Sequence, residues 1–190
     1  MSTLVIILRA ASLLAFAGPM AIVASGRRGE RGTRPRQSGA ERAPVVANFA
    51  AFVLFYSSLI FSGSTGGSSA LPLALAGCLV ALAGAALVLR SRTELGPAWS
   101  LVPSAGQETG LVTTGTYRLV RHPIYLGLTL LAMGQALAFG SWPALTIVLC
   151  GIVPTFAWRA RAEERLLSRT FGERYEAYRQ QTNMIIPYLL

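Results

Sequence analysis

Five runs of apolar residues, at approximately 4–25, 45–61, 71–89, 123–139 and 142–158, account for most of this chain. A hydrocarbon core of roughly 30 Å needs about 17 to 25 such residues per helix, and a backbone in lipid must satisfy its own hydrogen bonds. The sequence therefore predicts an all-α integral membrane protein with about five transmembrane helices. Composition agrees, with 53% hydrophobic and 13% charged residues and a mean hydropathy of +0.50 over the 190 residues. A chain of this length is expected to form a single membrane domain, 1–190, with three N-terminal spans over 1–89. The first run lacks a basic region followed by a small-residue cleavage site, so it is expected to be retained as a helix.

Charge sets the expected orientation. All 17 basic residues are arginines, and 16 of them fall in three segments: the loop 26–44, the loop 90–121 and the tail from 159. Only Arg9 lies elsewhere, while 62–70 and Gly140-Ser141 carry no charge. Because arginine-rich flanks stay in the cytosol, the N-terminus is expected outside and the C-terminus inside. The loop 26–44, rich in Gly, Arg, Pro and Ser, reads as a linker that attracts anionic membrane lipids. A net charge of +9 does not make this a nucleic-acid binder, since it is spread over membrane-flanking segments with no binding motif. Cys78 and Cys150 sit in apolar runs and indicate neither a disulfide nor a metal site.

Ionisable groups at the ends of membrane segments are costly to desolvate and point to function. Gly140-Ser141-Trp142-Pro143 is so short a link that the last two runs must form an antiparallel hairpin. Its far ends carry Arg121-His122-Pro123-Ile124-Tyr125-Leu126-Gly127 and Arg159-Ala160-Arg161-Ala162-Glu163-Glu164, which the hairpin brings together. Pro123 suits a first helical turn, placing His122 at the N-cap, where free N–H groups and Arg121 favour an anion. Tyr125 offers a ring or a hydroxyl, and Gly127 lets a ligand or a neighbouring helix approach the backbone. Arg159 and Glu163, four apart, share a helix face, while Glu164 points about 100° away. An Arg preceding a Glu is the weaker order for a helix pair. Phe171-Gly172 and the residues to Arg179 predict a turn and a second short helix with Tyr175 and Tyr178 on one face, and the apolar end 184–190 is expected to return to the interface.

The ordered set Leu111-Val112-Thr113-Thr114-Gly115-Thr116-Tyr117-Arg118, Arg121-His122-Pro123-Ile124-Tyr125-Leu126-Gly127, Arg159, Glu163-Glu164-Arg165-Leu166-Leu167, Phe171-Gly172, Tyr175, Tyr178 and Ile186-Pro187 resembles the isoprenylcysteine carboxyl methyltransferase family and its bacterial relatives. The likeness runs from about Leu95, through Leu95-Gly96-Pro97-Ala98-Trp99-Ser100, to the C-terminus; a histidine common before Leu111 is replaced by Gln107-Glu108-Thr109-Gly110. The resemblance implies that 90–190 is a methyl-donor-binding catalytic core taking S-adenosyl-L-methionine. It implies Arg121, His122, Pro123, Tyr125, Gly127, Glu163 and Glu164 as cofactor-binding residues and Arg159 and Glu163 as catalytic ones. The acceptor would be a lipophilic small molecule or lipid reached from within the bilayer, here in a bacterial inner membrane with the site facing the cytosol. A carboxylate acceptor, as in a prenylcysteine, needs only orientation, for which Arg159 is suited; a thiol or amine would need Glu163 or His122 as base. Membrane sterol reductases share a similar C-terminal ending and bind NADPH, so a reductase, or a non-catalytic membrane protein of the same fold, is the alternative.

Overall fold

The computed structural model describes residues 3–25, 39–61, 69–96 and 110–186, which are helical apart from connecting turns and one isolated parallel bridge between Val120 and Asn183. The helices are α1 (Thr3–Ser25), α2 (Gly39–Phe61), α3 (Ala70–Leu95), α4 (Pro123–Phe139), α5 (Trp142–Ile147), α6 (Val153–Phe171) and α7 (Glu173–Gln181). A 3-10 turn, Gly115–Arg118, precedes α4, and a π turn, Val148–Ile152, joins α5 to α6. All five apolar runs fall in helices. By length and composition Ala43–Phe61, Ala70–Leu95 and Trp142–Phe171 can cross a membrane, while Thr3–Pro19 and Pro123–Phe139 are shorter apolar helices.

Two boundaries differ from expectation for the same reason. The segment 39–44, read as part of a linker, opens α2; α3 continues past 89 to Leu95. Hydropathy stops where charge begins, but Ala, Glu and Arg remain good helix formers. In α3 the extension is reinforced by Arg90 donating to Glu94 four residues on, at 3.0 Å. Residues 26–38, 97–109 and 187–190, which include most of the arginine-rich loop, the Pro97–Ser100 element, Gln107–Thr109 and the last four residues of the apolar end, lie outside the described residues.

The main seam joins α3 to α4, antiparallel. Gly77, Ala81 and Gly84 of α3 face Gly127, Leu131, Gly134 and Ala138 of α4 at spacings of three and four, the stripe that lets backbones touch. A Cβ on Gly84 would lie 2.6 Å from the Gly127 carbonyl oxygen, and one on Gly134 2.6 Å from that of Gly77. Dispersion and close backbone contact thus replace a hydrophobic driving force that lipid does not supply.

At the end of α4, Gly140 adopts the left-handed conformation with φ 61° and caps the helix, and the Ser141 hydroxyl accepts from Ala144 N at 3.3 Å to start α5. Pro154 has no N–H for the Cys150 carbonyl, and the helix widens into the π turn just before it. Far from the motif residues, polar groups are paired within the bundle. Gln135, fully buried, donates to Ser12 O at 3.1 Å and accepts from the Tyr56 hydroxyl at 3.1 Å. Arg9, also buried, donates to Ala138 O at 2.9 Å and lies over the Phe139 ring. These contacts tie α1 antiparallel to α4 and explain how the one arginine outside the basic segments is accommodated.

Candidate active site

The hairpin brings its two motifs together as the short turn requires. Pro123 opens α4, His122 is its N-cap, and the carbonyl of His122 accepts from Tyr125 N at 3.1 Å and Leu126 N at 3.2 Å. From α6, Glu163 and Glu164 straddle the imidazole: Nδ1 is 3.6 Å from Glu163 Oε2 and Nε2 is 3.5 Å from Glu164 Oε1. Adjacent helical carboxylates point about 100° apart, yet a residue at the mouth of the facing helix can sit between them. Glu163 also accepts from the Tyr125 hydroxyl and, at 3.1 Å, from Arg159 Nε, whose guanidinium lies 5.4 Å from the Tyr125 ring centre. The Arg-to-Glu pair therefore forms despite its unfavourable order, because Tyr125 fixes the carboxylate from the other side.

Aromatic rings continue the site into the bundle. His122 stacks on Tyr125 with centroids 5.4 Å apart, and Tyr125 stacks on Phe156 at 4.8 Å. Phe156 is one turn before Arg159, so its spacing could have marked it as part of the site. Beyond it, Phe52 of α2 meets Phe156 at 6.0 Å, and Asn48 donates to Thr155 at 3.1 Å, tying α2 to α6 beneath the charged groups.

Two expected cofactor residues are engaged by the protein itself. Arg121 donates to Glu164 Oε1 at 2.6 Å, to Arg179 O at 3.1 Å and to Thr182 O, so its guanidinium pairs an acidic residue and caps the end of α7 instead of standing open to an anion. Its backbone, with that of His122, pairs with the tail through Asn183 O at 2.8 Å and Met184 O at 2.9 Å, which holds the chain after α7 against the start of α4. Gly127 lies against α3, where a Cβ would be 2.7 Å from Val88 Cγ2 and 2.8 Å from Gly84 O. The space left by its missing side chain is filled by a helix. Of the two uses open to this glycine, packing is the one the structure displays.

Other contributors were not singled out as site residues. Glu94 receives Thr116 N and Oγ1, each at 2.6 Å, and Thr116 Oγ1 is also 3.0 Å from Ser91 Oγ, which clamps the Gly115–Arg118 turn to α3. Gly115, at φ 63°, has no room for a Cβ, which would fall 2.5 Å from Glu94 Oε1. The Tyr178 hydroxyl donates to Tyr117 O at 2.6 Å, docking α7 on that turn. Burial pushes the Tyr178 phenol up to about 12 and raises Tyr117 and Tyr175 as well, so these hydroxyls remain neutral donors. Tyr175, 1% exposed, keeps its hydroxyl buried without a hydrogen bond, and so does His122 its Nε2.

These residues fit a sulfonium donor in charge: two carboxylates, mostly buried and beside aromatic rings, suit a cation.

A family model described as phospholipid methyltransferase matches residues 73–174. A protein-S-isoprenylcysteine O-methyltransferase of Schizosaccharomyces pombe is 34% identical over 79 residues, covering 42% of this chain and 34% of that protein. Methanethiol S-methyltransferase 1 of Bradyrhizobium diazoefficiens is 34% identical over 76 residues, covering 38% of this chain and 24% of its own length. The chain thus spans about a third or less of these two relatives. A solved structure of the eukaryotic intramembrane Ras methyltransferase, isoprenylcysteine carboxyl methyltransferase, superposes with a TM-score of 0.61 at 21% identity over 94% of this chain and 68% of that one, a likeness of fold. The resemblance read from the motifs is borne out in both sequence and fold.

Proposed function

This chain belongs to the phospholipid methyltransferase family, and on that premise we propose that it transfers a methyl group from S-adenosyl-L-methionine to an acceptor held in the membrane. The observation that carries this reading is the convergence of Glu163 and Glu164 on His122, beside Arg159, at one end of the hairpin. When bound, the cofactor supplies an electrophilic methyl on a sulfonium. The protein's part is to hold and align. Glu163 and Glu164 face the cation, and the Tyr125 hydroxyl together with Arg159 keeps the Glu163 carboxylate in place. Phe156 and Tyr125 exclude water, which strengthens each charge interaction within. Arg159 orients an acceptor carboxylate with its planar fork. Alignment of this kind supplies up to roughly 7–11 kcal/mol in ideal intramolecular reactions. A carboxylate acceptor such as the relatives' isoprenylcysteine needs no base; for a thiol, the acceptor class named in the methanethiol enzyme, Glu163 or His122 would take the proton.

The decisive experiment is calorimetric titration of the purified protein with S-adenosyl-L-methionine and separately with NADPH. The expected result is saturable binding of the first and none of the second; the reverse would make this a reductase, and no binding of either would point to a non-catalytic member of the fold.

The proposed topology has five crossings, the N-terminus outside and the site in the cytosol. Supporting it, the arginine-rich segments flank the helix ends that carry the site, and the described helices alternate in direction. Cysteines introduced singly at Ser38 and Ser168 should be labelled only after permeabilisation, whereas one at Ser64 should react in intact cells. Labelling of Ser168→Cys from outside would overturn the orientation.

A further inference from the structure

The outer face of α6 continues past its apolar residues as a row of charge. Trp158, 45% exposed, is followed on the same face by Arg161, Arg165 and Arg169, all exposed. Steps of three, four and four residues keep these four side chains within about 80° of one another around the helix. The two glutamates of α6, Glu163 and Glu164, lie off this stripe and are engaged by Arg159, Arg121 and His122. Among the described residues the three arginines of the stripe form no ion pair, and like charges four apart on a helix repel. Glutamine would keep such a face soluble without that repulsion, so the charge answers to something outside the helix bundle.

We propose that this stripe docks on the anionic phospholipid headgroups of the leaflet from which α6 emerges. The proposal rests on α6 crossing the membrane and is independent of the methyl-transfer reading. Trp158 is the residue type that settles at the boundary between hydrocarbon and headgroups. At a rise of about 1.5 Å per residue, Arg161 stands about 4.5 Å and Arg165 about 10 Å beyond it, across a headgroup layer roughly 5–8 Å thick. Arginine stems are long enough to reach back over that distance, and Arg169, about 16 Å out, stays within about a Debye length of the layer. Phosphate accepts a guanidinium through two parallel hydrogen bonds, and a negative leaflet attracts each arginine, so a row of three selects an anionic surface over a zwitterionic one. The lipid here is a partner and not the methyl acceptor: Arg159 and Glu163 point away from the stripe, so headgroups seated on it brace α6 without entering the site.

The test is the melting temperature of the full chain in detergent micelles that carry phosphatidylglycerol or, in equal amount, phosphatidylcholine. Phosphatidylglycerol should raise wild type about 5 °C above phosphatidylcholine, and high salt should erase the difference. The triple variant Arg161→Gln, Arg165→Gln, Arg169→Gln should lose most of that increment. In phosphatidylcholine it should melt with wild type or slightly above it, because only the repulsion has been removed. Arg165→Gln alone should lose about a third of the increment. Arg174→Gln removes the same charge from an exposed position on α7 and should keep it. No increment in wild type, an undiminished one in the triple variant, or equal losses at Arg165 and Arg174 would each overturn the stripe as a lipid-docking face. A triple variant that melts below wild type in phosphatidylcholine would also overturn it, by showing that the arginines are paired within the protein. Binding of S-adenosyl-L-methionine enters none of these outcomes, so the stripe and the methyltransferase reading stand or fall separately.

Discussion

Glutamine at Glu163 should reduce affinity for the methyl donor about a hundredfold and lower stability at the same time, and the two effects should separate in a double variant. Glu163 takes the Tyr125 hydroxyl, Arg159 Nε at 3.1 Å and the approach of His122 Nδ1 at 3.6 Å, so one charge serves three neighbours. Removing one partner of a buried ion pair costs about 3–5 kcal/mol. Here both side chains keep under a fifth of their surface exposed and Arg159 retains the Tyr125 ring, so a loss of about 2 kcal/mol is expected. Arg159→Met with Glu163→Gln removes both charges and should regain most of that stability. Donor binding should not return, since the carboxylate it needs is still missing. Arg159→Ala alone should keep or raise donor affinity, because Glu163, still held by the Tyr125 hydroxyl, no longer shares its charge with a guanidinium, while transfer to a carboxylate acceptor falls; lysine should rescue poorly. Calorimetry with thermal unfolding in detergent gives both quantities. Recovery of donor affinity in the double variant would mean that Glu163 holds Arg159 in place and does not face the donor.

The meeting of the two motifs was legible because it follows from chain length: two residues, Gly140 and Ser141, between two apolar runs leave no alternative to a hairpin. The helix limits were less so. Hydropathy marks where lipid ends, whereas α2 and α3 each run on into polar sequence, the latter through Arg90 and Glu94. Arg121 and Gly127 show a different limit. Their residue types suited an anion and a close approach, and those needs are met by partners distant in sequence: Glu164 and the carbonyls at the end of α7 for one, Gly84 and Val88 for the other. Tyr175 and Tyr178 share a helix face, and no periodicity distinguishes the hydroxyl that is paired from the one that is not.

Alanine at Gly134 should cost about 3 kcal/mol, the upper range for an added methyl in a packed interior. The new Cβ would lie 2.6 Å from Gly77 O and closer still to Ala81 N, and both are backbone, with no rotamer to turn aside. The helices must part along the whole seam, forfeiting dispersion contacts that nothing in lipid replaces. Gly151→Ala is the control, since its Cβ would meet Ile147 and Ala51 at ordinary distances of 3.6 and 3.7 Å; stability there should hold or rise slightly. Gly127→Ala falls between, because its nearest obstruction is the movable Val88 side chain at 2.7 Å, with Gly84 O at 2.8 Å behind it. If Gly127 serves packing, its variant should lose melting temperature while the folded fraction binds donor with unchanged affinity. Loss of donor affinity at Gly127→Ala with the melting temperature intact would place that glycine in the cofactor site.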